Sequence, residues 1–283
     1  MRFIEQYLLQ LNNEKRRWHR AVVVLTALSL LVALATVWNL RRTGVTIANG
    51  ATCGCEEHLH TEECMHDDTT VCGYEEHIHA ISCYSDLTAD VETAENWEAS
   101  LPDDLGRYWS ENLSRIALSQ IGAAESEKNF ILAEDGETKQ GITRYGQWYG
   151  NPYGDWSAMF AAFCLHYANV PQDAIPWSPG VYNMMQLCAE KEILSQPDAY
   201  VGMDGNILFL DTDENGNADK ILIVTVPEEP VEEENATQTI KAVGGDWDDT
   251  VAEVEIARDD PQIVAYIPTA AVREAHLQSL PVY

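Results

Sequence analysis

Two patterns in this chain combine residue types and spacing suited to chemistry. The first is a repeat: CGCEEHLHTEEC runs from Cys53 to Cys64, and CGYEEHIHAISC runs from Cys72 to Cys83. Both follow C-G-x-E-E-H-x-H-x3-C, and their starts are 19 residues apart. One copy brings Cys53, His58, His60 and Cys64; the other brings Cys72, His77, His79 and Cys83. Two thiolates with two imidazoles form a donor set that zinc takes at closed tetrahedral sites. Histidines at i and i+2 point the same way on an extended segment, so each copy is expected to close as a clip on one zinc ion. Disulfides Cys53–Cys64 and Cys72–Cys83 are the rival reading in an extracellular setting. They give no reason for H-x-H in both copies, which favours metal. Cys55 and His66 are spare ligands beside the first copy. A unit this small cannot bury a core, so metal or disulfide must supply its stability.

The second pattern is NPYGDWSAMFAAFCLHYANV, 151–170. A Pro/Gly/aromatic turn ends at Asp155, an expected N-cap, and an apolar helix comes directly after it. A side chain just inside such a start sits among unpaired N–H groups at the positive end of the helix dipole. That environment lowers a thiol pKa and makes a nucleophile. Ser157 occupies the position, with oxygen in place of sulfur. Cys164 and Cys188 read as buried core thiols. His166 is about 13 Å along the helix from Ser157 by helical rise, too far to serve it as a base.

A third set of donors lies in DTDENGNAD. Asp211, Asp213, Asn215 and Asp219 fall at offsets 1, 3, 5 and 9 of a calcium-type loop, with Gly216 at the turn. Leu222 occupies the place where a bidentate Glu would close the site. The spacing is therefore read two ways, as a calcium loop or as a polar hairpin turn held by its own Asx hydrogen bonds.

These groups need elements to position them. A helix is expected over 107–121, a second over 156–167 and a third over 181–193. Short β-rich runs come next at 207–210, 221–226, 239–243, 251–256 and 263–267. Helices first and antiparallel strands afterwards predict an α+β domain over 107–283. The stretch 87–106 is acidic and irregular and reads as a linker, with Trp97 docking on the domain after it. Ahead of it lie the tandem Cys/His units, 51–86.

The formal net charge is -29, yet residues 1–50 hold seven Lys/Arg against two acids. The remainder carries the acid excess, which repels nucleic acid and removes it as a partner. Residues 21–40 are twenty without a charge, long enough to span a bilayer as a helix. Their length exceeds a signal-peptide core, although Ala33-Leu34-Ala35 resembles a cleavage site. Basic residues ahead of the span place the N-terminus in the cytoplasm and 41–283 outside the cell. Residues 1–20 read as a short amphipathic segment on the inner leaflet. Pro227 to Asn235 reads as a solvated acidic loop.

GITRYGQWYGNPYGDWSAMFAAFCLHYANV, followed by GNILFLDTDENGNADKILIV, resembles the CHAP-type amidohydrolase/peptidase domains of Firmicutes over about 105–267. The resemblance implies a papain-like fold with N-terminal helices on an antiparallel sheet, and peptidoglycan as the substrate of active members. In those domains D-W-C-A-M-F carries the nucleophile, H-V-G-I-V carries the base, and a polar residue on the next strand orients the imidazole. Carried over, the three positions are Ser157, Lys220 and Gly245, and all three depart from the pattern. A Ser/Lys pair serves other hydrolases when the lysine is tuned by burial. The expectation is nonetheless a membrane-anchored extracellular CHAP-like protein without catalysis, binding peptidoglycan or acting as a scaffold. The alternatives are an active amidase using Ser157 with Lys220, or a structural surface protein working through its Cys/His units and another surface protein. Similar Cys/His units precede other domains in surface proteins of the same bacteria.

Overall fold

A computed structural model describes residues 51–66, 69–70, 72–197, 202–225 and 239–281. The expected segments 1–20 and 21–40 and the acidic loop 227–235 lie outside the described residues. Among the described residues, no helix is long and apolar enough to cross a membrane. The chain divides into two units, Met1–Cys55 and Glu56–Tyr283. The first contributes only 51–55 to the described residues, where Cys53 Sγ lies 3.9 Å from the Cys55 carbonyl and Cys55 Sγ lies 3.8 Å from that of Cys53.

The second unit starts within the repeats. His58 and His77 pair antiparallel and exchange both backbone hydrogen bonds, at 2.9 and 2.8 Å. Each copy ends in a single 3-10 turn, Glu62–Cys64 and Ile81–Tyr84. A two-residue hairpin, β1 (Met65–His66) on β2 (Thr69–Thr70), lies between them.

Residues 85–106 are not the free linker that their acidity predicts. Asp86 N–H donates to the Lys128 carbonyl at 2.8 Å. The fully buried Asn129 amide donates to the Leu87 and Ala89 carbonyls at 3.1 and 2.8 Å. Ser126 Oγ donates to Asp90, and Glu92 pairs with Arg144 at 2.8 Å. Helix α1 (Ala94–Glu98) brings Trp97 Nε1 within 3.0 Å of the Tyr167 hydroxyl, the docking expected of it. Composition misleads here because the acids have specific partners elsewhere in the chain.

Helix α2 (Trp109–Ser119) is followed by a hairpin of β3 (Phe130–Leu132) and β4 (Lys139–Gly141). Then come α3 (Arg144–Tyr149), α4 (Ser157–Tyr167) and α5 (Val181–Glu190). The main sheet holds β5 (Ile207–Leu210), β6 (Lys220–Val224), β7 (Thr239–Trp247), β8 (Thr250–Ala257) and β9 (Ile263–Ile267). Their order is β8-β7-β6-β5-β9, with every neighbour antiparallel, and α6 (Thr269–Ser279) closes the described chain. The architecture is α+β, as the sequence predicts; α6 is an element that its periodicity did not reveal.

Alternation along the strands divides the core into two faces. Phe209, Ile221, Ile223 and Val243 pack with α2 and α4 on one face. Leu208, Leu210, Leu222, Val224 and Ala242 form a second cluster on the other. Helix α4 is apolar around its whole girth from Ser157 to Leu165, all buried, so it serves as the central core helix. Each large side chain it buries contributes on the order of 1.5–3 kcal/mol.

Candidate functional site

The start of α4 is built as its sequence suggests, with one difference. Trp156, not Asp155, is the residue flanking the helix, and no side chain caps it. The Trp156 ring is 1% exposed and stacks on Tyr145 at 5.3 Å and 14°. Next to it in the chain, Ser157 is 2% exposed. Its Oγ accepts a hydrogen bond from the Ile221 backbone N–H at 3.0 Å. This bond ties the first turn of α4 to the first residues of β6.

Lys220, the first residue of β6, has a different partner: its ammonium donates to the Asp246 carbonyl and pairs with the Asp246 carboxylate at 3.0 Å. The β6–β7 ladder runs as far as Leu222 opposite Gly244, and β7 is irregular from Gly244 to Trp247. Asp246, one residue past the orienting position that the resemblance implies, is the residue whose side chain meets Lys220. Gly245 faces α4 instead: a Cβ there would overlap Phe160 and press on the Trp156 ring. Close approach of strand to helix requires glycine at this point.

A cleft of about 390 Å³ opens beside these residues, lined by Thr212, Lys220, Asp246, Trp247, Asp248 and Asp249. Ser157 is not in its wall. Asp246, Asp248 and Asp249 have φ of 61°, 50° and 59°, and Asp248-Asp249 form the two-residue turn between β7 and β8. Left-handed backbone at both turn positions matches the hairpin twist, and Asp is one of the few side chains that tolerate it. Desolvation raises the Asp246 carboxyl above its ordinary range, with the Lys220 charge opposing the shift. Nearby, burial pushes the Glu125 carboxyl from an ordinary 4.5 up to about 7, and the Asp249 charge adds to it. The Trp156 indole N–H draws that shift down, although it reaches no partner at normal hydrogen-bond geometry. Sequence reasoning missed Glu125, Asp246 and Trp156. The only available signal is the acid run in GGDWDD, which gives no hint of its neighbours.

In the repeats, ligands from both copies come together. His58 Nε2 lies 3.7 Å from Cys64 Sγ and 3.4 Å from Cys72 Sγ. One donor atom from each of the three falls within 4.8 Å of the others, so they could hold a metal ion. The second copy repeats the first pair, with His77 Nε2 3.7 Å from Cys83 Sγ. His60 does not join His58; its Nε2 lies 3.0 Å from the Tyr74 carbonyl. His79 rests edge-on to His77 and Tyr84. The clip closed within one copy, which the spacing predicts, is thus not how the described donors are arranged. An antiparallel pairing of the copies brings the first cysteine of the second copy to the first copy's histidine. Hydrogen bonds from the Thr61 backbone and hydroxyl hold the Cys64 thiol below its ordinary range. No disulfide joins any two cysteines among the described residues.

The acidic loop spends its oxygens on itself. The Asp211 carboxylate accepts from the Asn215 and Gly216 N–H groups at 3.1 and 2.8 Å. Asp213 accepts from Asn215, and Asp219 turns away to the Thr212 N–H and hydroxyl. Asx hydrogen bonding engages these oxygens, and among the described residues Asp211, Asp213 and Asp219 do not cluster as three possible ligands of one ion. Cys164 is fully buried, and burial pushes the Cys188 thiol up to about 12, so both are inert core thiols. His166 packs against Trp148, the two rings tilted with centroids 5.3 Å apart.

Comparison with known proteins adds no identity: no family model, curated protein or solved structure matches the chain.

Proposed function

We propose that this chain is a membrane-anchored extracellular protein whose C-terminal domain is a CHAP-like, papain-like module without hydrolytic activity. In this reading it binds peptidoglycan or acts as a scaffold at the cell surface, and its Cys/His units carry zinc. The observation that carries the reading is the Ser157 hydroxyl. It is buried and engaged by the Ile221 N–H, while the expected basic partner, Lys220, pairs with Asp246. A serine attacking an amide needs a base within hydrogen-bond reach and an exposed approach for the carbonyl. Neither is met at Ser157. The zinc part is supported by the donor chemistry of two thiols and an imidazole, which suits zinc over calcium or magnesium.

Incubation of the purified chain with insoluble peptidoglycan tests the reading. The chain is expected to sediment with the wall and to release no new muropeptides. New products that vanish in Ser157→Ala would overturn the non-catalytic assignment. Failure to sediment would remove the wall-binding role and leave the scaffold role. The double variant Ser157→Cys with Lys220→His is expected to stay inactive, because position 157 is buried beside the Ile221 N–H and closed to an incoming carbonyl.

A further inference from the structure

We propose that a single soft divalent metal ion is shared between the two repeats, held by His58 Nε2 and Cys64 Sγ of the first copy and Cys72 Sγ of the second. This deepens the zinc reading above and rests on it. Donor spacing supports the sharing first. Zinc–nitrogen bonds of about 2.0–2.1 Å and zinc–sulfur bonds of about 2.3 Å make a tetrahedron with edges of roughly 3.5–3.8 Å. The two distances from His58 Nε2, 3.4 and 3.7 Å, match such edges. They are longer than strong hydrogen bonds and far longer than a covalent sulfur bond.

The way the donors are held supports it second. The His58–His77 backbone pair fixes the two copies in antiparallel register and sets the His58 imidazole beside the second copy. The 3-10 turn Glu62–Cys64 delivers Cys64 from the same copy, and the Cys64 N–H to Thr61 carbonyl bond at 2.9 Å fixes that turn. Cys64 is buried, which removes it from competing water. Glu56, Glu57, Glu62 and Glu63 surround the set in sequence and favour a cation over a bare pair of thiolates. Repetition supports it third. The His–Cys distance and the His–His ring geometry recur in the second copy, at 3.7 Å and 5.0 Å against 3.7 Å and 5.1 Å in the first. Two unrelated surface turns would have no reason to agree so closely. The ion then acts as a staple between copies, supplying the stability that a short segment without a core lacks.

Zinc content of the full-length chain distinguishes this sharing from closure within each copy. In a His77→Ala/Cys83→Ser background, one equivalent of zinc per chain is expected to remain. Adding Cys72→Ser should remove it, and adding Cys53→Ser instead should leave it. The reverse outcome, zinc lost with Cys53→Ser and kept with Cys72→Ser, would overturn the shared site while sparing the zinc reading. Should the background variant misfold, the unaltered chain loaded with an NMR-active cadmium isotope decides. The β-protons of Cys64 and Cys72 are expected to correlate with one and the same metal resonance; separate resonances overturn the proposal. An unaltered chain that takes up no zinc and carries a Cys64–Cys72 disulfide overturns both readings together.

Discussion

The Ile221 backbone N–H donates to Ser157 Oγ across 3.0 Å, joining the first turn of α4 to the start of β6. In a working nucleophile the hydroxyl would be offered to a base and an incoming carbonyl. Here it satisfies a buried N–H near the beginning of the strand, which is a structural duty.

Ser157→Ala is therefore expected to lower stability. The variant leaves the Ile221 N–H without an acceptor in a buried place, which costs about 1–3 kcal/mol. Chemical denaturation of parent and variant measures it. A hydroxyl poised for catalysis and free of structural work would leave the midpoint unmoved.

Gly245→Asn, the change that would supply a carboxamide orienter, is expected to damage the fold. The new Cβ would meet Phe160 and Trp156, both fully packed. Overpacking of this kind costs about 1–3 kcal/mol. Thermal melts of Gly245→Ala and Gly245→Asn should both fall, the second further, with a loss of near-UV signal from Trp156. Unchanged melts would mean that β7 is not pressed against α4.

Glu125 gives the domain a pH signature. Its carboxyl titrates at about 7 when folded against an ordinary 4.5. The folded chain thus holds the proton more tightly, and stability from this group is full below pH 4.5 and declines as pH rises to about 7. Each tenfold difference in proton affinity between the folded and unfolded chain is worth about 1.4 kcal/mol before solvent screening, and partial exposure holds the whole effect to the order of 1–2 kcal/mol. Glu125→Gln should be more stable than the parent at pH 8, with the gap narrowing at pH 5.5. A gap of the same size at both values would assign the effect to something other than ionisation.

Much of the fold is legible in the sequence because periodicity reports burial directly. The β-rich runs at Ile207–Leu210 and Ile263–Ile267 mark strands at their observed bounds, and the unbroken apolar run of α4 marks a core helix. Facing is not legible in the same way. Lys220 is the base position that the resemblance implies, yet its partner in the folded chain is Asp246 on the next strand, which no local pattern announces. Gly245 lies against Phe160 and Trp156, and that close approach of β7 to α4 is a property of strand and helix together, not of the local sequence. The acidity of 85–106 points to solvent, because composition cannot reveal that Asp90 and Glu92 have waiting partners in Ser126 and Arg144. The repeats are plain in the sequence, but nearness along the chain groups their ligands within each copy, and folding regroups them across copies.

The reciprocal His58–His77 pairing has a consequence for ancestry. Each histidine both gives and receives a bond, so a solitary copy would present an unmatched edge and an incomplete donor set. The heritable element is then the doublet. Arrays of this motif should grow by twos, and a chain that acquired a third copy would carry an odd one out with nothing to clasp.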